Sequence, residues 1–146
     1  MTLVVCVEDR WGQAFHRRRL SRDRVLCARV LELAGAGPLW MSPYSLPLFQ
    51  QLPQAGQVRA GDDYLSVAGA DALCFVEREP LDRWLDKADK LVLFRWNRTY
   101  PFDLRFPAEK LETDWQLTGT REFSGSSHEK ITEEHYEKTY EKTEKA

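Results

Sequence analysis

The sequence contains few of the residues on which disulfide, metal and phosphate-loop chemistry depend. Its three cysteines are widely spaced, and no two of them form a Cys-x-x-Cys pair, so neither a disulfide framework nor a zinc site is expected. Scattered thiols are typical of a reducing compartment, which predicts a cytoplasmic protein. No Walker, Gly-x-Ser-x-Gly or Gly-x-Gly-x-x-Gly pattern occurs, so the signatures of several enzyme classes are missing.

Histidine is equally scarce. His16, His128 and His135 are the only three, and a two-metal hydrolase or nuclease needs a clustered set such as His-x-His-x-Asp-His. His128 and His135 lie seven positions apart, which on one helix face is too far for a shared ion without a third ligand. We therefore predict no metal site, and we expect the histidines to lie at the surface.

Long hydrophobic runs are also missing. No apolar stretch approaches the roughly 20 residues of a membrane-spanning helix. Thr2 to Glu8 has no basic residues before it and no small-residue cleavage site after it, so we interpret it as a first strand and not as a signal peptide. A chain of 146 residues that is 42% hydrophobic and 30% charged is the size and composition of one globular domain.

The apolar residues that are present fall into short runs that alternate with helical patterns. Ala72 to Val76 and Lys90 to Trp96 are strand-like, and Pro80 to Asp89 between them has a helical pattern. Strand, helix, strand predicts a βαβ unit with parallel strands buried on both faces. We predict that the two strands lie side by side in a mixed, mostly parallel sheet flanked by helices, in a single α/β domain.

Two helices are predicted nearer the N-terminus. Arg22 to Ala34 carries one apolar stripe, with Ser21 as its N-cap and Gly35 as its C-terminal stop. A second helix is expected to begin with Ser42 as its cap and Pro43 at its first position.

The C-terminal segment is rich in glutamate and lysine. Residues 128–146 hold six Glu and four Lys, and Ser126-Ser-His-Glu129 before them matches a capping box. We therefore predict residues 1–127 as the α/β domain and residues 128–146 as a charged helix, formed from about His128 to Glu141 and fraying beyond it. Asp114 to Phe123 alternates and is predicted as an antiparallel strand near a sheet edge.

Positive charge is concentrated near the N-terminus. Residues 9–29 carry seven arginines against two aspartates, and such a patch attracts phosphates, carboxylates or nucleic acid. The Arg-rich loop 10–24, with Trp11 and Phe15 interleaved, has the basic and stacking groups that single-stranded nucleic acid needs. A pI of about 5.9 argues against a nucleic-acid-binding domain. A solvated basic loop and helix face is the third interpretation.

The order of these segments resembles the dihydrofolate reductase family from Thr2 to about Phe123. The resemblance is carried by Asp9-Arg-Trp-Gly12, Leu20-Ser-Arg-Asp23, Pro38-Leu-Trp-Met-Ser42, Trp84 to Leu93, and Asp103-Leu-Arg-Phe-Pro107 followed by Trp115. It implies a cleft for NADPH and a pterin above a mostly parallel sheet, with Asp23 binding the pterin ring nitrogen and favouring its protonation before hydride arrives. It also implies a C-terminal strand, where local signals favour a helix.

Several positions depart from the family pattern. Phe75-Val-Glu-Arg-Glu79 stands where the family has a Gly-Gly pair that lets the backbone approach the cofactor diphosphate, and its two glutamates would repel that group. Ser42-Pro-Tyr-Ser45 replaces Gly-Arg-x-Thr, so that only Ser45 could stand in as a phosphate ligand. Phe94 occupies the position of a threonine that supports the catalytic carboxylate.

Two functions from different classes remain open. One is a degenerate dihydrofolate reductase-like domain that binds a small acidic or nucleotide-like ligand, or a protein, without redox chemistry. The other is an NADPH-dependent reductase of dihydrofolate or a related heterocycle, which uses Asp23 and replaces the lost phosphate ligands with arginines. We favour the first, because the missing glycines are a steric obstacle. The predicted ligand-binding residues are Arg17, Arg18, Arg19, Arg22, Trp11, Ser42, Tyr44, Ser45 and Phe94.

Overall fold

The computed structural model describes residues 1–53 and 55–139. Its strands in chain order are β1 (Thr2–Val7), β2 (Gly12–Phe15), β3 (Arg18–Arg19), β4 (Leu39–Met41), β5 (Val58–Ala60), β6 (Leu73–Val76), β7 (Lys90–Arg95), β8 (Leu104–Arg105), β9 (Trp115–Phe123) and β10 (Ile131–Lys138). Its α-helices are α1 (Arg24–Ala34), α2 (Pro47–Gln50), α3 (Tyr64–Val67) and α4 (Asp82–Lys87). None of the helices in this part of the chain has the length and apolar character that crossing a membrane requires.

Seven strands form one mixed sheet, in the order β5-β4-β6-β1-β7-β10-β9. The first five are parallel to one another, whereas β10 runs antiparallel to both β7 and β9. The remaining strands form a small antiparallel sheet, β3-β2-β8. The predicted single α/β domain with a mostly parallel central sheet is thereby confirmed, and β9 is the antiparallel edge strand that its alternation predicted.

The centre of the sheet is strand β1, which is buried on both faces. Leu3 and Val5 pack on one face with Leu85 of α4, and Val4 between them packs on the opposite face with Leu26 of α1. This alternation follows from the two-residue period of a strand. Burying each such side chain contributes about 1.5–3 kcal/mol, so the two helices hold the sheet from opposite sides.

The two strands predicted to be neighbours, β6 and β7, run in the same direction but do not pair. Strand β1 lies between them, with Thr2 opposite Leu73 on one side and opposite Lys90 on the other. The unit formed by β6, α4 and β7 therefore crosses over β1. The adjacency prediction was wrong because strand order depends on pairing across the whole chain, whereas the sequence pattern reports only succession and direction.

Helix α1 begins two residues later than predicted. The side chain of Asp23, not that of Ser21, caps it by accepting hydrogen bonds from the N–H groups of Val25 and Leu26 at 2.9 and 3.2 Å. The predicted stop at Gly35 is confirmed, because its φ of 60° lies in the left-handed region that favours glycine. The carboxylate of Asp23 therefore has a structural role as the cap of α1.

The helix predicted from Ser42 also begins later. Ser42 and Pro43 lie in a turn in which the N–H of Ser45 bonds to the carbonyl of Ser42 at 3.0 Å. Helix α2 instead has Pro47 in its first turn. Pro47 satisfies the rule that proline suits a helix start, because the N–H that it lacks has no intrahelical partner there. The sequence therefore predicted a helix in this region, but the helix begins at Pro47 and not at Pro43.

The residues predicted as a C-terminal helix form strand β10. This strand lies between β7 and β9 and is hydrogen-bonded to both, and its side chains Ile131 and Glu133 are fully buried. The predicted helix from His128 to Glu141 is wrong as far as residue 139, and its remainder lies outside the described residues. Pairing on both edges overrides the local preference of a Glu/Lys-rich segment for helix.

The Arg-rich segment, predicted as a long polar loop, contains a hairpin. Strands β2 and β3 pair through a turn at His16 and Arg17, whose φ angles are 50° and 59°. Strand β8 pairs with the other edge of β2. Arg18 and Arg19 thus lie on a strand of a small sheet, which gives their side chains a defined direction.

Candidate functional site

A cleft opens where the parallel strands β1, β4, β6 and β7 end. Its largest cavity has a volume of about 730 Å³. Two further cavities, of about 500 and 640 Å³, share Arg19 with it. The residues lining the largest are Arg18, Arg19, Ser21, Arg22, Tyr44, Arg98, Ser127 and His128. Ligands of open α/β sheets bind outside the carboxyl ends of the strands, so this cleft is the candidate site.

Three arginines of the cleft are not neutralised by an acidic side chain. Arg18, Arg22 and Arg98 are exposed, and no carboxylate oxygen of residues 1–53 or 55–139 lies within 4.0 Å of their guanidinium nitrogens. A guanidinium group is always charged, and its planar fork of donors matches a carboxylate or a phosphate. The cleft therefore attracts anions. Arg18 and Arg22 were predicted as ligand residues, whereas Arg98 was missed.

The fourth arginine of the cleft is neutralised. Two nitrogens of Arg19 bind the two carboxylate oxygens of Glu77, at 2.8 and 3.1 Å, and the hydroxyl of Ser45 donates to Glu77 at 2.7 Å. The ring of Tyr44 contacts two guanidinium groups, those of Arg19 at 4.3 Å and Arg78 at 3.8 Å from its centroid. These side chains form one connected group at the end of β6.

This group occupies the position where the resemblance implies a glycine pair. Glu77 is buried, with only 9% of its surface exposed, and Arg78 beside it contacts Tyr44. A diphosphate would have to displace the bond between Arg19 and Glu77 and would then meet the carboxylate that the bond had neutralised. The resemblance implies glycine at this position, because only hydrogen leaves room there for the backbone to approach a phosphate. The residues present therefore lack the contacts to NADPH that the resemblance implies at this position.

Asp23 lines the cavity of about 640 Å³, but its carboxylate is buried and faces protein donors. It accepts hydrogen bonds from the N–H groups of Ser126 and Ser127 at 3.0 and 2.8 Å and from the Ser127 hydroxyl at 3.2 Å, in addition to the two at the start of α1. His128 Nδ1 lies 3.1 Å from the same carboxylate. Six donors saturate a group that offers about four lone-pair sites, so Asp23 joins α1 to the connection between β9 and β10.

The pKa of Asp23 follows from this arrangement. Burial raises the pKa of the carboxyl group, but the N–H groups of Ser126 and Ser127 and the ring of His128 lower it by more, so that it lies well below its usual value. Hydrogen bonds to the ionised form favour that form. Asp23 is thus ionised at neutral pH, and both of its oxygens are already bound to protein donors and not available to the ring nitrogen of a heterocycle.

His128 was predicted to lie at the surface, and this prediction was wrong. The residue is buried, and its ring stacks on Trp96 with 4.5 Å between the ring centroids. Its Nε2 atom lies 3.1 Å from the hydroxyl oxygens of both Ser21 and Tyr100. Sequence reasoning missed it because its partner Asp23 is 105 residues away. The side chains of Ser21 and Asp23 are thus hydrogen-bonded to the two ring nitrogens of the same residue, His128.

Five of the predicted ligand residues do not line the cleft, and one of them is Ser45, which is buried and bound to Glu77. Phe94 is fully buried in the core, and Trp11 packs against the core under the guanidinium group of Arg95. Ser42 is buried in its turn, and Arg17 is exposed at the tip of the hairpin. Within the described part of the chain, no group of three or more His, Cys, Asp or Glu side chains is placed to hold a metal ion.

This chain is similar to known proteins in its structure. No protein-family model matches the sequence, and no curated protein matches it. Among solved structures, it is similar to dihydrofolate reductase from Enterococcus faecalis, complexed with NADP(H) and RAB-propyl, with a TM-score of 0.65 over 94% of this chain and 95% of that chain at 9% sequence identity. The chain has a dihydrofolate reductase-like fold.

The dihydrofolate reductase-like fold accounts for the strand at the C-terminus, which the family resemblance implied and the local sequence did not. At 9% identity the likeness is one of fold, and a fold hosts many functions. The chemistry of the cleft must therefore be inferred from its own side chains.

Proposed function

We propose that this protein is a degenerate dihydrofolate reductase-like domain that binds a small phosphate- or carboxylate-bearing ligand, nucleotide-like in its charge, without hydride transfer. The observation that carries the proposal is the set of three guanidinium groups, of Arg18, Arg22 and Arg98, around a cavity of about 730 Å³ with no acidic partner among the described residues. Cavities of this size hold small molecules. Unpaired arginines in such a cavity favour an anion.

The cleft also offers neutral contacts to the rest of a ligand. Tyr44 presents an aromatic ring that already contacts two guanidinium groups, and Ser21 and Ser127 provide hydroxyl groups at the cavity wall. Aromatic and hydroxyl groups fix the orientation of a ligand that charge has attracted. This composition supports a ligand with one anionic group and a planar or polar remainder.

The alternative of an NADPH-dependent reductase has one supporting observation, which is the likeness of fold to a reductase whose structure was solved with NADP(H). Two contacts argue against it. The carboxylate of Asp23 is saturated by protein donors, and Glu77, held by Arg19 and Ser45, stands where the family resemblance implies the glycine pair that faces the diphosphate. The reductase therefore stands as the second candidate.

Calorimetric titration tests the proposal. Inorganic pyrophosphate is titrated into the full chain at low salt, because screening weakens binding between exposed charges. We expect saturable binding, and we expect Arg22→Gln and Arg98→Gln each to weaken it about tenfold, since a hydrogen bond to a charged group contributes roughly 1.5–3 kcal/mol. Arg83→Gln is the matched control: it removes the same charge beside Met1 and Asp89, at the other end of the sheet.

Two results would overturn the proposal. One is an equal loss of pyrophosphate affinity in Arg83→Gln and in the cleft variants, which would indicate a general effect of net charge. The other is oxidation of NADPH by the wild-type chain in the presence of dihydrofolate, which would establish the reductase.

A further inference from the structure

The side chains of Ser21, His128 and Asp23 form a hydrogen-bonded series, of which the proposed anion binding uses the Ser21 hydroxyl alone. His128 stands in the middle, with Nδ1 3.1 Å from Asp23 Oδ2 and Nε2 3.1 Å from Ser21 Oγ. Tyr100 adds a second hydroxyl, 3.1 Å from the same Nε2 and 3.3 Å from Ser21 Oγ. A hydroxyl, an imidazole and a carboxylate in this order are the components of an activated serine nucleophile.

Hydrogen-bonding rules fix the tautomer of His128. The carboxylate of Asp23 is ionised and can only accept, so the Nδ1 atom that faces it must carry a proton. In the neutral ring the lone pair is then on Nε2, which faces the hydroxyls of Ser21 and Tyr100. The imidazole is thereby positioned to take a proton from Ser21. The stacking of its ring on Trp96 and its burial hold it in that orientation.

The three residues differ in their access to solvent in the way that a nucleophile requires. Asp23 and His128 are 3% exposed, whereas Ser21 is half-buried and lines the largest cavity of the cleft. The same cavity is lined by Arg22 and Arg98, whose cationic groups can stabilise negative charge that develops on a substrate oxygen. Of the three residues, Ser21 is therefore the most accessible to a molecule bound in the cleft.

We propose that Ser21 is the nucleophile of an acyl-transfer site that hydrolyses esters bearing an anionic group, with His128 as general base and Asp23 as the residue that positions it. The requirement for an anionic group rests on the proposed function of the cleft, whereas the nucleophile itself does not. No redox step and no cofactor is involved.

The reaction balances with water as the only co-reactant. Ser21 Oγ forms a bond to the acyl carbon while its proton moves to His128 Nε2. The bond between the acyl carbon and the alcohol oxygen then breaks, and Nε2 returns the proton to that oxygen. A water molecule attacks the acyl-enzyme and gives its proton to Nε2, the bond between the acyl carbon and Ser21 Oγ breaks, and Oγ takes the proton back. Tyr100 can donate a hydrogen bond to the oxyanion and keeps its proton throughout.

A neutral alkyl fluorophosphonate tests the nucleophile independently of anion binding. The full chain is treated with this reagent, and the modified residue is identified by mass spectrometry. We expect modification at Ser21, abolished in Ser21→Ala and retained in the control Ser66→Ala, which changes an exposed serine on α3. Absence of modification at Ser21, or modification equal to that of the heat-unfolded chain, would overturn the proposal.

A second variant separates reactivity from structure. In Ser21→Cys, the base should activate the introduced thiol, and we expect iodoacetamide to alkylate it at least about tenfold faster than glutathione at the same pH, since a nearby base raises the thiolate fraction. Alkylation of the native cysteines should be slow, because Cys27 and Cys74 are buried and burial raises the pKa of the partly buried Cys6. A rate equal to or below that of glutathione would contradict activation by His128.

Rates of ester hydrolysis show which of the two proposals, the anion site or the serine nucleophile, has failed. The monoanionic ester 4-nitrophenyl hydrogen succinate should be hydrolysed faster than neutral 4-nitrophenyl acetate, and Ser21→Ala should abolish both reactions. Modification of Ser21 with equal rates for the two esters would retain the nucleophile and overturn the anionic substrate class. Pyrophosphate binding without modification of Ser21 would retain the anion site and overturn the nucleophile.

Discussion

Replacing Gly125 with alanine should destabilise the protein strongly, because the added methyl group would collide with the carboxylate of Asp23. A Cβ atom built at Gly125 lies 2.8 Å from Cγ and 2.9 Å from Oδ1 of Asp23, and closer still to Oδ2. The carboxylate must then move away from the N–H groups of Ser126 and Ser127. Glycine is required here by the close approach of a side chain and not by its backbone angles.

The expected loss follows from the bonds that depend on this carboxylate. The helix cap contributes about 1 kcal/mol, and each hydrogen bond to the charged group contributes roughly 1.5–3 kcal/mol. These contributions are not additive, because one displacement breaks several bonds together. Breaking a buried charge network typically costs about 3–5 kcal/mol, and we predict a loss of this size in the free energy of unfolding.

Urea unfolding followed by tryptophan fluorescence measures this loss. With a slope of roughly 1–3 kcal/mol per molar urea, the midpoint should fall by about 2 M without a change of slope. Gly119→Ala is the matched control, because its Cβ would meet no atom within 4 Å, and its effect should stay within about 0.5 kcal/mol. A Gly125→Ala variant as stable as Gly119→Ala would refute the role assigned to Asp23.

Three further predictions concern acid sensitivity, the ion pair in the cleft and the thiols. Because the pKa of Asp23 is lowered on folding, its stabilisation is present above its unfolded pKa of about 3.9 and is lost as pH falls towards the lower folded value; urea midpoints should depend less on pH below 4 in Asp23→Asn. Glu77→Gln should release Arg19 and strengthen pyrophosphate binding several-fold in calorimetry, whereas Glu109→Gln, a control at an exposed ion pair, should not. Burial raises the pKa of both Cys27 and Cys74 to about 12, so neither should react with a disulfide reagent at pH 8 until the chain unfolds.

Patterns within a short stretch of sequence predicted the elements of the central sheet well. The apolar runs that became β1, β6 and β7 are buried on both faces, and such strands are recognisable without knowledge of their partners. The direction of β6 and β7 followed from the helix between them. Their separation by β1 could not be predicted, because the pairing of β1 depends on residues about 70 and 90 positions further along the chain.

Strand β10 shows why the local pattern failed at the C-terminus. Its charges suggested a solvated helix, yet Glu133 is fully buried and binds Arg29 through two bonds, at 2.8 and 2.9 Å. Burial raises the pKa of Glu133, and Arg29 and His135 lower it by more, so the carboxylate remains charged inside the fold. A buried glutamate with a partner 104 residues away has no local sequence signature.

The sequence predicted the positive charge of the candidate site but not the hydrogen bonds that join its residues. The excess of arginine pointed to Arg18 and Arg22, which do line the cleft. Asp23 was singled out through the family resemblance, but its neighbours Ser126, Ser127 and His128 come from the connection between β9 and β10. Sequence separation of about 100 residues hid the cluster, since no spacing rule relates such distant positions.

The most direct test of an anion-binding cleft is the response of individual arginine side chains to pyrophosphate. Two-dimensional NMR of the Nε–Hε groups in the full chain, assigned with single arginine-to-glutamine variants, follows each guanidinium group separately. An anion site in the cleft predicts that the signals of Arg18, Arg22 and Arg98 shift together with one dissociation constant, while that of Arg83 does not move. Unchanged cleft signals, or shifts of the same size at Arg83, would contradict it.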